Sequence, residues 1–439
     1  MVELARVTID ASGRRVDLVV PEHVPIAELL PDLLRHAGED APDSGERHGG
    51  WLLRRAEGEA LAGDACLHDS GVRDGEVLHL VPARVHWPEP EYDDVVEAVA
   101  AAARGYGRDW SAGATRTAGL IVAAVTLTVG VGTLMTSGPP WTVAATVGLG
   151  AATLLTLAGT VAFRGYGEPA VGAVLGGYAL PYAFAGGALW FADPARQHGW
   201  LGEPQVLVGS TALVLVAVVG GVGVPAATRL FAAGVTVGVT SAAGALLTFH
   251  LPVTGAAAVT LSVLVCGIGA LPWLAIRIGR LPVPPEVVGG PAHVSSAVRR
   301  TESLLSGMLL GHAVAALLAV IVLVAAGGTQ GRLLALVCAS SLLLRARHFV
   351  TVAHRVPLLG AGTAGLAVLA VSTLAGAPAV AALVTLGLGV VVASARYAVR
   401  LPSPYLGRAV DIVDTLLVVS VVPLACAVLD LYARVRDLI

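Results

Sequence analysis

The chain of 439 residues is 55% hydrophobic and only 13% charged, against roughly 25% charged for an average soluble domain, so most of it is built for lipid. All 28 basic residues are arginine, which excludes the usual P-loop and Schiff-base chemistries, both of which need a lysine, and any ATP hydrolysis is expected from a partner. Charge is segregated: residues 1–103 hold 21 acidic residues and 9 arginines, residues 104–439 hold 10 and 19, and this contrast marks two regions in a composition whose Ala, Gly and Val richness points to a high-GC bacterial genome.

The first elements are polar enough for a soluble head. Val7, Ile9, Val16, Leu18 and Val20 alternate with polar residues around Asp10-Ala11-Ser12-Gly13, the period-two pattern of a β-hairpin. After Pro25, Ile26, Leu29, Leu30, Leu33 and Leu34 recur at helical spacing up to Gly38, which predicts a one-faced helix that covers a small sheet. A polar loop follows. Short strands are expected at 51–55 and around Leu61, and a last one at 77–81.

This β-β-α-β-β-β order, with the run Leu67-His68-Asp69-Ser70-Gly71-Val72-Arg73-Asp74-Gly75-Glu76-Val77-Leu78-His79-Leu80, resembles a ubiquitin-like β-grasp domain (α+β) over residues 1–84. Ubiquitin is conjugated through a free diglycine tail, whereas here Pro82-Ala83-Arg84 runs on into more chain. Conjugation is therefore not expected, and what the resemblance leaves is a docking surface or a cap on the membrane part. His23, His36, His48, His68 and His79 lack the spacing of a metal-ligand set. No short apolar run of the signal-peptide kind occurs near residue 10, and the head is expected to stay on the side where it is made.

Residues 85–116 read as a linker. Pro88 and Pro90 stop the preceding strand, and Asp93-Asp94 open an Ala/Val run to Arg104 that predicts a juxtamembrane helix, acidic at its start and basic at its end. Residues 117–439 read as an all-α polytopic membrane domain. Runs long enough to cross a hydrocarbon core of about 30 Å lie at 117–136, 141–163, 170–192, 206–224, 230–249, 253–276, 304–326, 331–344, 356–374, 379–395 and 410–433. These are about eleven transmembrane helices. The eighth is the shortest, free of charge only over 333–344, with Arg332 able to snorkel to the interface.

Arginine asymmetry gives the direction. With the head inside, the connections on its side hold 15 arginines and the opposite connections and tail hold Arg196, Arg332, Arg434 and Arg436. The N-terminus is thus expected in the cytoplasm and the C-terminus outside, and omitting the eighth run would put later arginine-rich loops on the wrong face. Small residues at four-residue spacing, Gly172/Gly176, Gly234/Gly238 and Gly307/Gly311, predict close helix approach. The cysteines Cys66, Cys266, Cys338 and Cys426 are scattered and read as small core hydrophobes.

Catalytic signals are weak. Gly360-Ala361-Gly362-Thr363-Ala364-Gly365 matches GxGxxG but opens a membrane span instead of following a buried strand. Ionisable residues inside spans are costly and carry a functional hypothesis. Here they are His312 in the seventh span and Asp411 and Asp414, one turn apart, at the start of the last. Near Arg408, these aspartates are expected to form a structural or interface pair with that arginine or with one of a neighbouring subunit. No catalytic residue, cofactor or metal is expected, and no nucleic acid.

A ubiquitin-like head, a linker with Tyr92-Asp93-Asp94, the stretch Gly105-Tyr106-Gly107-Arg108-Asp109-Trp110, eleven spans and a Pro-rich loop at 281–291 together resemble the EccD component of actinobacterial type VII (ESX) secretion systems, over the whole chain. That resemblance implies a non-enzymatic scaffold in the bacterial inner membrane. It also implies a homodimer enclosing a lipid-lined cavity and assembling with EccB, the ATPase EccC and EccE. The competing reading is a multi-spanning secondary transporter or channel with a regulatory head; the missing polar pathway and the lack of repeated halves speak against it.

Overall fold

The computed structural model describes residues 4–11, 14–37, 50–56, 58–82, 110–193, 201–280, 291–374, 376–399 and 404–436. The predicted juxtamembrane helix, the tip of the first hairpin and most of the Pro-rich loop lie outside them. The chain divides into two compact units, Met1–Asp109 and Trp110–Ile439.

In the first unit, β1 (Leu4–Ala11) and β2 (Arg14–Pro21) pair antiparallel from Leu4 opposite Pro21 to Ala11 opposite Arg14. Alternation buries Ala5, Val7, Ile9 and Ala11 on one face. Helix α1 (Ile26–Ala37) lays Ile26, Leu29 and Leu33 on that face, with Glu28 in its first turn and Arg35 and His36 in its last, as the helix dipole favours. β3 (Trp51–Arg55) and β4 (Glu76–Pro82) complete a mixed sheet of order β2-β1-β4-β3, in which β1 and β4 are parallel. The strand expected around Leu61 is reduced to a single bridge between Arg54 and Ala60; the chain then runs through turns to Leu67, whose side chain is buried in the core. The Asp74-Gly75 turn sets the parallel register. Gly75 takes φ 83° and donates its N–H to the Arg6 carbonyl at 2.6 Å, while the Asp74 carboxylate accepts from the Arg6 N–H at 2.6 Å.

The second unit is helical: α2 (Ala112–Met135), α3 (Trp141–Tyr166), α4 (Pro169–Leu189), α5 (Glu203–Gly223), α6 (Thr228–Leu247), α7 (Val253–Gly267), α8 (Leu271–Gly279), α9 (Pro291–Ala326), α10 (Gly328–Arg345), α11 (Val352–Thr373), α12 (Ala377–Val399), α13 (Pro404–Val428) and α14 (Leu431–Arg436). Every apolar run of the sequence falls on one of these. Among the described residues nine spans, one of them formed by α7 and α8 together, are long and apolar enough to cross a membrane. The helices outside that set are the short α14, α10, whose 18 residues carry Arg332 and Arg345, and α12, apolar over Ala377–Val392.

Three departures from the sequence reading have local causes. The seventh span begins at Pro291 instead of 304, because hydropathy stops at the Arg299-Arg300-Thr301-Glu302 stretch although a helix does not; at 1.5 Å per residue the 36 residues reach about 54 Å, well past the hydrocarbon. The sixth run is a broken helix, with a 3-10 turn at Ile268–Ala270 between α7 and α8. The last run stops at Val428, and Asp430 (φ 54°) turns the chain into α14. Helix α9 is the hub, with Leu309, Ala316 and Leu323 fully buried in a core shared with α7, α10, α11 and α13.

Small residues let the helices approach. A Cβ on Gly311 would lie 2.7 Å from the Thr236 Cβ, and one on Gly307 2.7 Å from the Ala232 Cβ, so α9 and α6 meet along this stripe. Gly234 and Gly176 likewise face Leu180 and Phe231. The spaced glycines thus serve packing inside one chain. Cys338 is buried, Cys66 and Cys426 are half-buried, and Cys266 is exposed on the surface of α7 instead of sitting in the core.

Candidate functional site

Two buried or half-buried polar side chains, His312 of α9 and Arg345 of α10, reach the place where α7 is broken. Gly267, Gly269 and Pro272 interrupt the helix, and Pro272 has no N–H to continue the ladder. Carbonyls near the break take side-chain donors instead. The Leu264 carbonyl meets His312 Nε2 of α9 at 2.7 Å. A carbonyl only accepts, so Nε2 carries the proton. The Val265 carbonyl accepts from Arg345 Nη1 at the end of α10, also at 2.7 Å.

Arg345 connects this break to the last long helix. Its Nε lies 3.6 Å from Asp414 Oδ1 on α13, and that same oxygen accepts from Ser341 Oγ at 3.3 Å. His348 Nε2 approaches the other carboxylate oxygen at 3.8 Å. Ser341, His312 and Asp414 are all buried. One turn away, Asp411 pairs with Arg347, whose Nη1 also donates to the Gly407 carbonyl at 3.4 Å. The backbone of this corner is held by Arg355, which donates to the Phe349 carbonyl and to the Arg347 carbonyl. The buried His354 ring stands edge-on to Phe349 at 5.9 Å between centroids.

This corrects the expected pairing. Asp411 and Asp414 are brought together with arginines of α10 and the turn after it; Arg408 is exposed and forms no ion pair among the described residues. The reason is geometric. Asp414 faces inward against Ser341, and the arginines at and just after the end of α10 reach across to α13, whereas Arg408 is exposed near the start of its helix. Arg345, Arg347 and Ser341 were missed because the first two lie at the end of a run and read as loop arginines. The signal was present: two acids one turn apart at the start of a span require cations from another helix.

What the arrangement can do is fix helices. Each charged group in it has an opposite charge or a backbone carbonyl beside it, as buried charge requires, and it joins α7, α9, α10 and α13. The GxGxxG residues lie in the middle of α11, where a Cβ on Gly362 would stand 2.8 Å from the Ala339 carbonyl oxygen of α10, so they serve helix packing. No group of three or more His, Cys, Asp or Glu able to hold a metal occurs among the described residues.

The head presents a second candidate surface. Arg55 is its polar centre, in ion pairs with Glu76 and Glu59 at 3.0 Å each and donating to the Ser70 carbonyl at 2.5 Å. Nearby, Cys66 Sγ donates to the His23 carbonyl at 3.2 Å, and the His23 and His68 rings are 4.9 Å apart. Burial, and after it the Asp69 carboxylate, push the Cys66 thiol pKa up.

Residues 115–438 match the family model described as the EccD-like transmembrane domain. Residues 4–80 match that of the WXG100 protein secretion system (Wss) protein YukD. The ESX-4 secretion system protein eccD4 of Mycobacterium tuberculosis, in strains CDC 1551 and H37Rv, is 29% identical over 461 residues, covering 99% of this chain and 97% of that protein. Among solved structures, protomer 1 of the ESX-3 core complex matches with a TM-score of 0.60 at 20% identity, covering 98% of this chain and 100% of that one. The MycP5-free ESX-5 inner membrane complex matches with a TM-score of 0.57 at 18% identity, over 90% and 100%. Both share the fold.

Proposed function

Because this chain belongs to the EccD family of multi-pass membrane components of type VII secretion, we propose that it works as a non-enzymatic scaffold of the secretion complex, with its head as the docking element. The observation that carries this is the joining, in one chain, of a YukD-type head at 4–80 to an EccD-like membrane domain at 115–438. Residues 1–84 form the head, 85–116 a linker and 117–439 a domain of eleven crossings, with the head in the cytoplasm and the C-terminus outside. The Arg345–Asp414 and Arg347–Asp411 pairs hold the entry of α13, and the exposed Arg408 is offered to a neighbouring subunit. The partners are components resembling EccB, the ATPase EccC and EccE, and a second copy of the chain.

Affinity purification of the tagged full chain from native membranes, followed by mass spectrometry, should recover these partners together. Deleting residues 1–84 should leave the rest inserted and still recover the other membrane components, with the ATPase lost. Unchanged ATPase recovery would assign the head a capping role. A transporter reading makes a different demand: Asp411→Asn with Asp414→Asn would leave assembly intact and abolish proton-coupled movement of a substrate in vesicles.

A further inference from the structure

The sheet of the head is covered along one edge and open along the other. At β3 the Arg55 N–H donates to the Glu59 carbonyl and the Leu61 N–H to the Leu53 carbonyl, both at 2.8 Å, and Arg54 bridges to Ala60. β2 ends the sheet on the opposite side, and among the described residues no strand or bridge pairs with its outer edge. Its eight residues pair one to one with β1, without a bulge, and its proline, Pro21, stands at the end. Bulges, lysines and prolines within a strand are among the devices that blunt an exposed edge, and β2 carries none of these three.

The core is incomplete along the same edge. The inward residues of β1, Ala5, Val7, Ile9 and Ala11, are all buried, whereas Val16 and Leu18 of β2 are only half-buried, and Val19 on the other face is 56% exposed. One more strand would cover Val16 and Leu18 and pair with the free N–H and C=O groups of the edge. The charges of β2 itself are engaged: Arg15 pairs with Asp10 at 3.2 Å, and Asp17 accepts from Thr8 Oγ1 at 2.7 Å. What selects the occupant is then the field of a head in which residues 1–103 hold 21 acidic residues against 9 arginines. Such a field draws a cationic segment and repels a second acidic head. Resting on the reading of the head as the docking element, we propose that β2 accepts an extended, cationic segment of a partner protein, apolar at alternate positions, as a further strand of the sheet.

The test compares amide hydrogen exchange in the full chain alone and in the complex purified from native membranes. Alternate amides of β2 point to the free edge, and these should exchange about tenfold or more slower in the complex, with those of β3 unchanged. A benzophenone amino acid at Val19 should form an adduct with another protein several-fold more often than one at Val77 of β4, two strands away on the same face. The captured segment should hold more lysine and arginine than aspartate and glutamate. Val19→Lys should reduce the protection of β2 and Val19→Glu should keep it. Unchanged exchange of β2 in the complex, which needs no variant to fold, would overturn the proposal; loss of the ATPase on deleting residues 1–84 would then leave the docking role standing on another part of the head. Equal adducts at 19 and 77 would also overturn it and put the partner on the face of the sheet. Equal protection in the two Val19 variants would remove the cationic partner, and an adduct to a second copy of the chain would assign the edge to a contact between heads; either result sinks the proposal.

Discussion

Asp414 and Arg345 are nearly withdrawn from their surroundings, their side chains 11% and 18% exposed, so neither charge can be removed alone without stranding the other. Breaking such a buried pair costs about 3–5 kcal/mol. Asp414→Asn should therefore lower the thermal midpoint of the purified protein sharply, whereas Asp411→Asn, whose carboxylate side chain is 62% exposed, should cost no more than about 1 kcal/mol. Replacing the pair together, Asp414→Leu with Arg345→Met, should recover most of the loss but not all, because the Val265 carbonyl then lacks its donor, at about 1–3 kcal/mol. A double-mutant cycle on thermal unfolding in detergent reads this coupling; additive losses would show that the pair is not a unit. In the head, the raised Cys66 pKa implies little thiolate at pH 8. Alkylation of Cys66, with the other cysteines replaced by alanine, should rise with pH to a midpoint above the usual 9.0. Asp69→Asn should bring the midpoint down only partly, since burial is the larger cause. The acids at 411 and 414 were visible in the sequence as the polar feature of the last span. Their partners were not, because residue spacing along one helix says nothing about which arginine of another helix arrives beside it.

Helices in lipid gain little from burying apolar surface against each other, so close packing and interhelical bonds decide their arrangement. The α6–α9 contact shows the first. Gly307 and Gly311 bring the hub helix against Ala232, Ala233 and Thr236, and Gly311→Leu should force these helices apart, at a cost of about 1–3 kcal/mol or more. Gly360, with nothing near its Cβ position, should accept leucine with little change. If thermal midpoints showed the two substitutions to be equally damaging, the stripe would not be a contact. The broken helix shows the second. His312 and Arg345 are the side chains that meet carbonyls at its interruption, and this break was hidden in the sequence because Gly267, Gly269 and Pro272 sit inside an unbroken apolar run. Hydropathy reads transfer to lipid, not the backbone ladder. The same blindness explains why α9 begins before its apolar part. The head was more legible: period-two alternation and the Asp74-Gly75 turn fix β1, β2 and β4, and only the short segment near Leu61 fell short, being too brief to form more than one bridge.

At the scale of the whole molecule the open quantity is the number of crossings, and it turns on α10 and α12. Helix α10 is marginal by composition because Gln330, Arg332 and Arg345 lower the mean of its 18 residues, yet its middle is deeply packed: Leu334, Ala335, Cys338, Ala339 and Leu342 are buried in the core around α9. A helix packed along the hub between α11 and α13 shares their surroundings, and its arginines stand at its ends, where long side chains can reach the interface. That placement favours a crossing. With all eleven crossings and the head in the cytoplasm, a reporter after Ile439 should be active only outside the cytoplasm, and one inserted at Thr329, between α9 and α10, should also report outside. If α10 did not cross, the reporter at Thr329 would still read outside, but one placed in the turn at His348 would read outside as well, and the C-terminal reporter would read inside. The His348 and C-terminal fusions together therefore locate an error: a cytoplasmic reading at His348 with a cytoplasmic C-terminus would convict α12 instead. Arginine distribution predicts a cytoplasmic His348 and an external C-terminus, since 15 arginines then lie on the head's side and four on the other.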